Sequence, residues 1–366
     1  MTVSRSAMIM AGGTGGHVFP GLAIATALRE RNWEVSWVGT SRGLEASVVP
    51  DNGIELHTLK TLGLRGKGLW AKIKGVLSLL FSCLQALWLL TTNRPSVVVG
   101  FGGYAAGPAG LVAWILRIPV VIHEQNAVAG TTNRLLSRVS KRVLAGFEGA
   151  FVSGPTLRVT GNPVRSALAD LPSKTYSQTA FSKAQPLKLA ILGGSQGALA
   201  LNKGVPAALS NLSVDALQCI AVRHQCGRNH GDVTASAWSA LSLADIEITP
   251  FVDDMAELYQ WADVAICRAG ALTVCELAVT GTPSVLVPLP SAIDNHQLKN
   301  AEALRDAGGA VIVEQAYLES GVLEAFLEET LTQAKRLSDM SSAAKRWSKP
   351  DATKQVVTVI EEVVCG

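Results

Sequence analysis

The stretch AMIMAGGTGGH, residues 7–17, decides the fold class, because a short apolar run leads into a turn with four glycines in five positions and then into a helical pattern. The stretch KLAILGGSQGA, residues 188–198, repeats this order in the second half of the chain. Elsewhere, short apolar runs alternate with helical patterns, which is typical of parallel sheets covered by helices. The sequence therefore predicts an α/β protein made of two doubly wound units. The predicted strands are AMIMA, EVSWV, SVVVG and IPVVIH in the first half and KLAIL, LQCIAV, DVAIC and SVLVP in the second.

The composition agrees with a folded protein of two domains. The chain has 366 residues, of which 48% are hydrophobic and 17% charged, enough for two packed cores. Its net charge of +3 is too small to indicate nucleic acid as a partner, which requires a concentrated basic face. Six cysteines without a C-x-x-C pair, and a start without the apolar core of a signal peptide, predict reduced thiols in a cytoplasm.

The joint between the domains is expected at GNPVR, residues 161–165, which carries a Gly and a Pro beside a polar, Ser-rich segment. We predict an N-terminal domain over residues 1–163, a C-terminal domain over 164–345, and a C-terminal helix over 346–366 that packs back on the N-terminal domain. Ligands of open α/β sheets bind at the carboxyl edge, so two such edges facing each other would enclose a cleft with its hinge at GNPVR.

The glycine turns suit a phosphate group. Glycine lets backbone N–H groups approach a ligand, and a helix N-terminus favours an anion by about 0.3 to 1 kcal/mol. A third loop of this kind, GFGGYAAGP at residues 100–108, follows another predicted strand. The spacing fits neither the dinucleotide motif with its acidic ribose partner nor a P-loop with its lysine. The alternative is a set of tight turns that bind no ligand.

His17 directly follows the first glycine turn. An imidazole with an ordinary pKa of about 6.5 can take a proton near neutral pH, which contributes about 100- to 10,000-fold in rate. Among phosphate-binding amides it would face the ligand, so we predict a catalytic role. The alternative is a helix residue that is hydrogen-bonded to its own turn.

The second half carries a denser cluster after Cys267. The turn at residues 268–270 leads into a helix whose first turns carry Thr273 and Glu276. Small residues and a hydroxyl at a helix start suit a pyrophosphate, and a carboxylate one turn deeper can accept hydrogen bonds from both hydroxyls of a ribose. This predicts a nucleoside diphosphate site. The alternative is that Glu276 caps or pairs on a surface helix.

Two further segments carry polar side chains in a row. In IDNHQLKNAEAL, residues 293–304, Asp294 is the expected helix cap and Gln297 is the candidate for reading sugar hydroxyls. HEQNAVAG, residues 123–130, follows a predicted buried strand and sets polar side chains at the carboxyl edge of the first sheet. The alternative for the second segment is a solvated loop.

Six motifs stand in order: GGTGGH (12–17), HEQN (123–126), GNPVR (161–165), GGSQGA (193–198), FVDDM (251–255) and ALTVCE (271–276) with a downstream HQxxNA. They resemble the MurG family of bacterial glycosyltransferases over nearly the whole chain. That family moves N-acetylglucosamine from UDP-N-acetylglucosamine to undecaprenyl-pyrophosphoryl-N-acetylmuramoyl-pentapeptide (lipid I), which gives lipid II for peptidoglycan and so serves cell shape and division. The resemblance implies a GT-B fold, with two Rossmann-like domains and the nucleotide sugar bound mainly by the second.

The resemblance also implies the site residues. Those expected to contact UDP-N-acetylglucosamine are Thr14, Gly15, Gly16, Asn126, Arg165, Ser195, Val252, Ala271, Leu272, Thr273, Val274, Cys275, Glu276 and Gln297. Glu276 would hold the ribose. Gly102, Gly103 and Tyr104 would face the pyrophosphate of the lipid-linked acceptor. Ala269 stands where relatives often have serine, so a hydroxyl there is not essential in this protein, and the differing stretch PSAID leaves the sugar contacts around Asp294 open.

The implied reaction inverts the anomeric carbon of the donor. The acceptor's 4-hydroxyl attacks, UDP leaves, and a β-1,4-linked disaccharide forms. His17 is the candidate base, while helix N-termini and Arg165 would assist the departing UDP. Asp253 and Asp254 are adjacent, whereas a metal-binding D-x-D motif has a residue between its carboxylates. We expect neither a metal requirement nor another cofactor.

A membrane face is expected in the first domain, because the acceptor's lipid tail stays in the bilayer. Arg65, Lys67, Lys72 and Lys74 lead an uncharged run over residues 75–92. Its polar interruptions leave it short of the about 20 apolar residues that a spanning helix needs. Basic residues near an anionic leaflet contribute about 1 kcal/mol each, and exposed apolar side chains can enter the interface. We predict a peripheral protein on the cytoplasmic face of the inner membrane, with part of this helix packed inward.

Three other functions compete with the transferase. A UDP-N-acetylglucosamine 2-epimerase shares the fold class and the donor but needs no membrane face. An NAD-linked oxidoreductase needs a dinucleotide fingerprint that the sequence lacks. A non-catalytic, membrane-docked scaffold that binds nucleotide would not need to keep both His17 and Glu276.

Overall fold

The computed structural model describes residues 5–60, 69–176, 180–194 and 197–365. It divides into two compact units: unit 1 is Met1–Val164 with Lys349–Gly366, and unit 2 is Arg165–Ser348. Each unit contains a parallel sheet covered by helices, so the prediction of two doubly wound α/β units is confirmed.

Unit 1 carries seven strands in its described residues. The strands are β1 (Ser6–Ala11), β2 (Glu34–Gly39), β3 (Glu55–Thr58), β4 (Val97–Gly102), β5 (Val120–Glu124), β6 (Arg142–Ala145) and β7 (Leu157–Val159). The helices are α1 (Gly15–Arg29), α2 (Glu45–Asp51), α3 (Leu69–Asn93), α4 (Ala106–Ile115) and α5 (Thr131–Leu136). All neighbours are parallel, in the order β3-β2-β1-β4-β5-β6-β7. The order reverses between β1 and β4, so the turns after these two strands meet where ligands of open α/β sheets bind.

The sheet of unit 1 is apolar on both faces, as parallel sheets under helices require. Side chains alternate along β1, so Met8 and Met10 pack on one side with Leu90 of α3, while Ile9 packs on the other side with Trp37. The indole of Trp37 is fully buried and donates a hydrogen bond to the Ala11 carbonyl at 2.8 Å. This bond fixes the end of β1, where the first glycine turn begins.

Unit 2 carries six parallel strands in its described residues. The strands are β8 (Leu187–Leu192), β9 (Ile220–Gln225), β10 (Asp245–Thr249), β11 (Val264–Cys267), β12 (Ser284–Leu286) and β13 (Ala310–Ile312). The helices are α6 (Ser166–Ala169), α7 (Leu199–Leu209), α8 (Val214–Leu217), α9 (Gly231–Trp238), α10 (Met255–Trp261), α11 (Ala271–Thr280), α12 (His296–Asp306), α13 (Val322–Thr332) and α14 (Lys335–Trp347), with 3-10 turns at Ile293–Asn295 and Gln315–Tyr317. The strand order β10-β9-β8-β11-β12-β13 reverses between β8 and β11. The second glycine turn and the turn before α11 therefore follow adjacent strands.

The last helix, α15 (Ala352–Cys365), belongs to unit 1 although the chain reaches it only after unit 2. Its buried Val356 and Ile360 join the apolar cluster of unit 1 that contains Ile24 and Leu28 of α1. At its surface, Arg31 pairs with Glu361 at 2.7 Å. The core of unit 1 is thus built from both ends of the described chain.

Candidate active site

The first glycine turn lies between β1 and α1 and holds His17 by its backbone. The Nδ1 atom of His17 lies 3.2 Å from the carbonyl oxygen of Gly12. Because a carbonyl oxygen can only accept, the Nδ1–H of His17 is the donor of this bond, and Nε2 takes no part in it. Gly13, Thr14 and Gly16 are exposed, and the Thr14 side chain makes no capping hydrogen bond although it occupies the N-cap of α1. His17 therefore bonds to its own turn and still has the nitrogen that a base needs.

The third glycine loop, after β4, packs directly on the first. A Cβ atom on Gly102 would lie 3.1 Å from His17 Nε2, and one on Gly103 would lie 2.5 Å from the Gly12 carbonyl oxygen. Both glycines also have positive φ, 108° and 92°. Glycine is needed at both positions because backbone and imidazole come so close. The structure thus brings Gly102 and Gly103 together with His17 at the switch point of unit 1, and Tyr104 follows them with 57% of its surface exposed.

Glu45, which was not among the residues predicted from the sequence, supports the same turn. Its carboxylate is fully buried and accepts a hydrogen bond from the Gly13 N–H at 2.9 Å. It also accepts from the Thr40 N–H at 2.9 Å and the Thr40 hydroxyl at 2.7 Å. A charged side chain without exposure must be satisfied in this way. Gly39 and Gly43 lie on either side of Thr40 in sequence, and a side chain on either glycine would collide with the carboxylate. These two glycines are the feature of the sequence that could have indicated the buried Glu45.

The HEQN loop after β5 is mostly internal structure. His123, Glu124 and Gln125 are buried, and Asn126 alone of the four is half-buried. The His123 Nε2–H donates to the Gly161 carbonyl at 2.9 Å, and burial lowers the pKa of this imidazole to about 4. Glu124 accepts from the Asn126 N–H at 3.0 Å and from its side-chain amide at 3.2 Å. The buried residues therefore fix the position of Asn126 at the carboxyl edge of the sheet.

In unit 2, Glu276 lies on α11 with partners on both carboxylate oxygens. Oε1 lies 3.3 Å from Nη2 of Arg165, and Oε2 accepts from the Tyr259 hydroxyl at 3.2 Å. Burial raises the pKa of the Glu276 carboxyl, and the Arg165 guanidinium opposes that rise. The carboxylate lies within the helix and does not cap it, since the N-cap is Gly270. Arg165 and Glu276, separated by 111 positions in sequence, thus form one polar site.

The start of α11 is held by residues outside the predicted set. Gly270 makes no side-chain cap, so the first N–H groups of the helix receive no hydrogen bond from it. The buried Asn300 donates to the Ala269 carbonyl at 3.1 Å and thereby fixes the turn before the helix. Arg268 points to internal acceptors, the Val287 carbonyl at 3.1 Å and the Gln315 side chain at 2.6 Å. Of the predicted residues, Ala271, Val274 and Cys275 are buried, whereas Leu272 and Thr273 are partly exposed.

Gln225, which was not predicted from the sequence, connects the second glycine turn to the segment that contains Val252. The Gln225 side-chain amide, at the end of β9, donates to the Gly194 carbonyl at 3.0 Å and to the Pro250 carbonyl at 3.2 Å. Val252, two residues further, is half-buried. Ser195 lies outside the described residues.

In the other polar motifs of unit 2, several side chains form hydrogen bonds to the nearby backbone. The Gln297 side-chain oxygen accepts the Leu289 N–H at 3.0 Å, which positions the preceding loop. Asp294 was the expected cap of α12, but the structure places Asn295 at the N-cap, and both residues have a left-handed φ of 52°. Asp254 caps α10 by accepting the N–H groups of Ala256 and Glu257, each at 2.9 Å. Across the described ranges, no three His, Cys, Asp or Glu side chains group as a metal site would require.

Unit 1 also exposes a set of apolar side chains on two packed helices. On α3 they run from Leu77 to Trp88, while Ala86, Leu89 and Leu90 are buried. We call this set the apolar face; it comprises Leu77, Leu79, Leu80, Phe81, Leu84, Leu87 and Trp88 of α3 and Leu111, Trp114 and Ile115 of α4. Trp88 is 70% exposed, an unusual position for tryptophan in water.

Among the described residues, no helix combines the length and apolarity needed to cross a bilayer. Arg65 and Lys67 lie outside the described residues, as do the side chains of Lys72 and Lys74.

Comparison with known proteins gives matches to both units. Residues 7–145 match the glycosyltransferase family 28 N-terminal domain, and residues 188–356 match the glycosyltransferase family 28 C-terminal domain. A protein of Ectopseudomonas mendocina, named UDP-N-acetylglucosamine--N-acetylmuramyl-(pentapeptide) pyrophosphoryl-undecaprenol N-acetylglucosamine transferase, is 47% identical over 98% of this chain and 99% of its own. A protein of Stutzerimonas stutzeri with the same name is 46% identical over 100% of both chains.

Solved structures agree with these matches. The crystal structure of Acinetobacter baumannii MurG has a TM-score of 0.83 and 37% identity, and the match covers 98% of this chain and 99% of that one. A UDP-GlcNAc 2-epimerase from Neisseria meningitidis, bound to UDP-GlcNAc, has a TM-score of 0.67 over 98% of this chain and 100% of its own. At 12% identity, the second likeness extends to the fold alone.

Proposed function

Since the chain belongs to glycosyltransferase family 28, we propose that it transfers N-acetylglucosamine from UDP-N-acetylglucosamine to the 4-hydroxyl of undecaprenyl-pyrophosphoryl-N-acetylmuramoyl-pentapeptide, which gives lipid II for peptidoglycan. The observation that carries this assignment is the identity of 47% along almost the whole length of a relative named for this transfer. The family, the GT-B fold and the enzyme class predicted from the sequence are confirmed.

In unit 2 we assign the nucleotide to the surroundings of α11. The carboxylate of Glu276 would accept hydrogen bonds from the two ribose hydroxyls, and the first N–H groups of α11, with Ala271 to Cys275, would hold the diphosphate. Arg165, 3.3 Å from Glu276, would add positive charge for the departing UDP. Further donor contacts are assigned, from the family resemblance, to Ser195, Val252, Gln297, Thr14, Gly15, Gly16 and Asn126.

In unit 1 we assign the chemistry of the acceptor to His17. Its Nε2, which takes no part in the bond between Nδ1 and Gly12, would take the proton of the 4-hydroxyl as the oxygen attacks the anomeric carbon. The bond to UDP breaks with its electron pair on the phosphate oxygen, and the configuration inverts. Gly102, Gly103 and Tyr104, packed against His17 or next to it, would face the acceptor pyrophosphate.

The apolar face supports a proposal about where the enzyme works. The acceptor's lipid tail stays in the bilayer, so the enzyme must come to the membrane surface on the side where UDP-N-acetylglucosamine is found. We assign the apolar face to that contact, and from the sequence alone we assign attraction to anionic lipid to Arg65, Lys67, Lys72 and Lys74. The protein would thus be peripheral, on the cytoplasmic face of the inner membrane.

One experiment tests the transferase against its alternatives. The purified protein is incubated, with EDTA, with radiolabelled UDP-N-acetylglucosamine and a short-chain analogue of the lipid-linked muramoyl-pentapeptide. We expect label in the lipid product and one UDP released for each sugar moved. Formation of the 2-epimer would instead indicate the epimerase, and UDP binding without turnover would indicate a scaffold. The His17→Gln variant, at equal concentration, controls for activity from a contaminating enzyme.

A further inference from the structure

The buried carboxylate of Glu45 is joined to His17 by a single peptide unit. The N–H of Gly13 donates to Glu45 Oε2 at 2.9 Å, and the carbonyl of Gly12 accepts from His17 Nδ1 at 3.2 Å. This N–H and this carbonyl belong to the same peptide bond, which is rigid and planar. The carboxylate thus bonds to one end of an amide whose other end bonds to the imidazole.

The surroundings of Glu45 are shaped to hold the carboxylate in place. A Cβ atom on Gly12 would lie 2.5 Å from Oε1, one on Gly39 would lie 2.6 Å from Cγ, and one on Gly43 would lie 2.0 Å from Oε2. Each distance is shorter than a van der Waals contact, so each position requires glycine while the carboxylate is there. Gly12 therefore lacks a side chain because of Glu45, whereas Gly13 has open space beside it and adopts a φ of 95°.

We propose that Glu45 is a positioning residue for His17, which acts through the Gly12–Gly13 peptide to hold the imidazole in the form with hydrogen on Nδ1. A carboxylate that accepts the N–H polarises the amide and strengthens its carbonyl as an acceptor, since hydrogen bonds in a chain reinforce one another. The arrangement corresponds to the carboxylate–imidazole pair of a hydrolase triad, with an amide inserted between the two groups. This inference rests on the proposed role of His17 as the base.

The link has two physical effects on the reaction. First, it disfavours the tautomer with hydrogen on Nε2, in which the nitrogen beside Gly102 could no longer accept a proton. Second, it places a negative charge behind the carbonyl that faces the imidazolium once His17 has taken the proton. Both effects act on turnover, and neither requires Glu45 to touch the donor.

The first test reads the tautomer directly in the free protein. Histidine is labelled with 15N, and long-range proton–nitrogen correlation identifies which ring nitrogen carries hydrogen; the His17→Gln spectrum identifies the His17 signals among the six histidines. We expect Nδ1–H in the wild type and a substantial Nε2–H population in Glu45→Gln, whose amide cannot accept from all three donors. An Nε2–H imidazole in the wild type overturns the proposal, and this measurement needs no variant of Glu45 to fold.

The second test separates positioning of His17 from general support of the turn. Glu45→Gln should lower kcat about tenfold or more and leave the donor KM within about twofold, because an oriented base contributes to the chemical step. Ser47→Ala is the matched control: it removes an exposed hydroxyl of the same helix, which bonds to the Leu44 carbonyl at 3.2 Å, and leaves all partners of the Glu45 carboxylate in place. It should change kcat by less than about twofold.

The double variant keeps this proposal distinct from the proposed function. If His17 is the base and Glu45 acts through it, Glu45→Gln should cause no further loss of kcat in a His17→Gln background. A His17→Gln enzyme with normal turnover would refute the role of the base. An inactive His17→Gln enzyme beside a Glu45→Gln enzyme with wild-type kcat would refute the link alone. A loss in Glu45→Gln confined to KM would also contradict the link.

Discussion

Arg165 and Glu276 form an ion pair, Nη2 to Oε1 at 3.3 Å, although Arg165 is the first residue of unit 2 and Glu276 lies on its sixth helix, α11. The Glu276 side chain is 13% exposed and that of Arg165 is 50% exposed, so the carboxylate is held within the protein and the guanidinium is open to solvent. In the proposed donor site the carboxylate would bind a ribose, while the guanidinium would be accessible to a phosphate.

Glu276→Gln should weaken UDP binding about tenfold or more, because hydrogen bonds to a charged group contribute about 1.5 to 3 kcal/mol. Calorimetric titration with UDP measures the change. The same titration with 2′-deoxy-UDP is the control, since this ligand lacks one of the hydroxyls and should distinguish the wild type from the variant less. Equal UDP affinity in both proteins would show that Glu276 does not hold the ribose.

Arg165→Ala should shift the acid limit of UDP binding to higher pH. Burial raises the pKa of the Glu276 carboxyl and Arg165 lowers it, so the pKa rises further when the guanidinium is removed. The Glu276 carboxyl group accepts from both ribose hydroxyls only when it is ionised, so UDP binding weakens as the pH falls through that pKa. Dissociation constants measured from about pH 8 down to about pH 5 test this. Arg223→Ala, which breaks a surface pair with Glu257 in the same unit, should leave the limit unchanged.

Tyr259→Phe should weaken UDP binding about fivefold and leave kcat nearly unchanged, since one hydrogen bond that orients Glu276 is lost. Tyr176→Phe provides the matched control. Its hydroxyl also bonds within unit 2, to the Asp263 carbonyl at 3.0 Å. If both variants bind UDP equally, Tyr259 contributes only to stability. Binding isotherms and steady-state kinetics on the same preparations give the comparison.

Acidification should destabilise unit 1 through His123. Burial lowers the pKa of this imidazole from 6.5 to about 4, so the unfolded chain takes up a proton at a higher pH than the folded one. The neutral His123 contributes fully to the free energy of unfolding above about pH 6.5, and this contribution is lost as the pH falls toward 4. At about pH 5 the free energy of unfolding is lower by about 2 kcal/mol. Urea unfolding of the wild type and His123→Asn at about pH 7 and about pH 5 measures the difference. An identical pH dependence in the two proteins would contradict it.

The double substitution Leu84→Glu with Trp88→Glu should reduce binding to anionic vesicles more than tenfold, because each large apolar side chain contributes about 1.5 to 3 kcal/mol when it leaves water. Sedimentation with vesicles measures the bound fraction. Turnover on a short-chain, water-soluble acceptor should stay normal, which shows that the site is intact. Val214→Glu, at an exposed apolar position of unit 2, is the control. Unchanged vesicle binding would remove the apolar face from the membrane contact.

The fold could be predicted from the sequence where an apolar run and the turn that follows it are adjacent in the chain. The strand and glycine turn at residues 7–16 and its repeat at 188–197 predict two sheets, and each predicted strand overlaps an observed one. The overlapping fraction is smallest for LQCIAV, residues 217–222, because β9 begins only at Ile220. The strands that the sequence did not reveal are short or lie near a sheet edge, such as β10, whose residues Asp245–Thr249 are partly or fully exposed. Such a strand buries too little apolar surface to give a clear alternation.

The supporting residues of the site were not predictable because their partners are distant in sequence. Glu45 lies 32 positions from Gly13, and Gln225 lies 31 positions from Gly194. No spacing rule connects such pairs before the fold is known. The glycine turns were interpreted as room for a ligand, which remains the proposal for Gly15 and Gly16. For Gly12 and Gly103, the structure gives an internal cause: a buried carboxylate and a neighbouring carbonyl occupy the space.

The place of α15 in unit 1 determines the order in which the chain can fold during its synthesis. Residues 352–365 are made only after all of unit 2, yet Val356 and Ile360 complete the apolar cluster beneath α1. Domains commonly fold from the N-terminus as the ribosome releases them. Unit 2 can therefore complete its fold before the last helix of unit 1 has been synthesised. A nascent chain arrested before residue 352 would therefore carry a finished unit 2 and an unfinished unit 1, with the uncovered side of the unit 1 sheet available to chaperones.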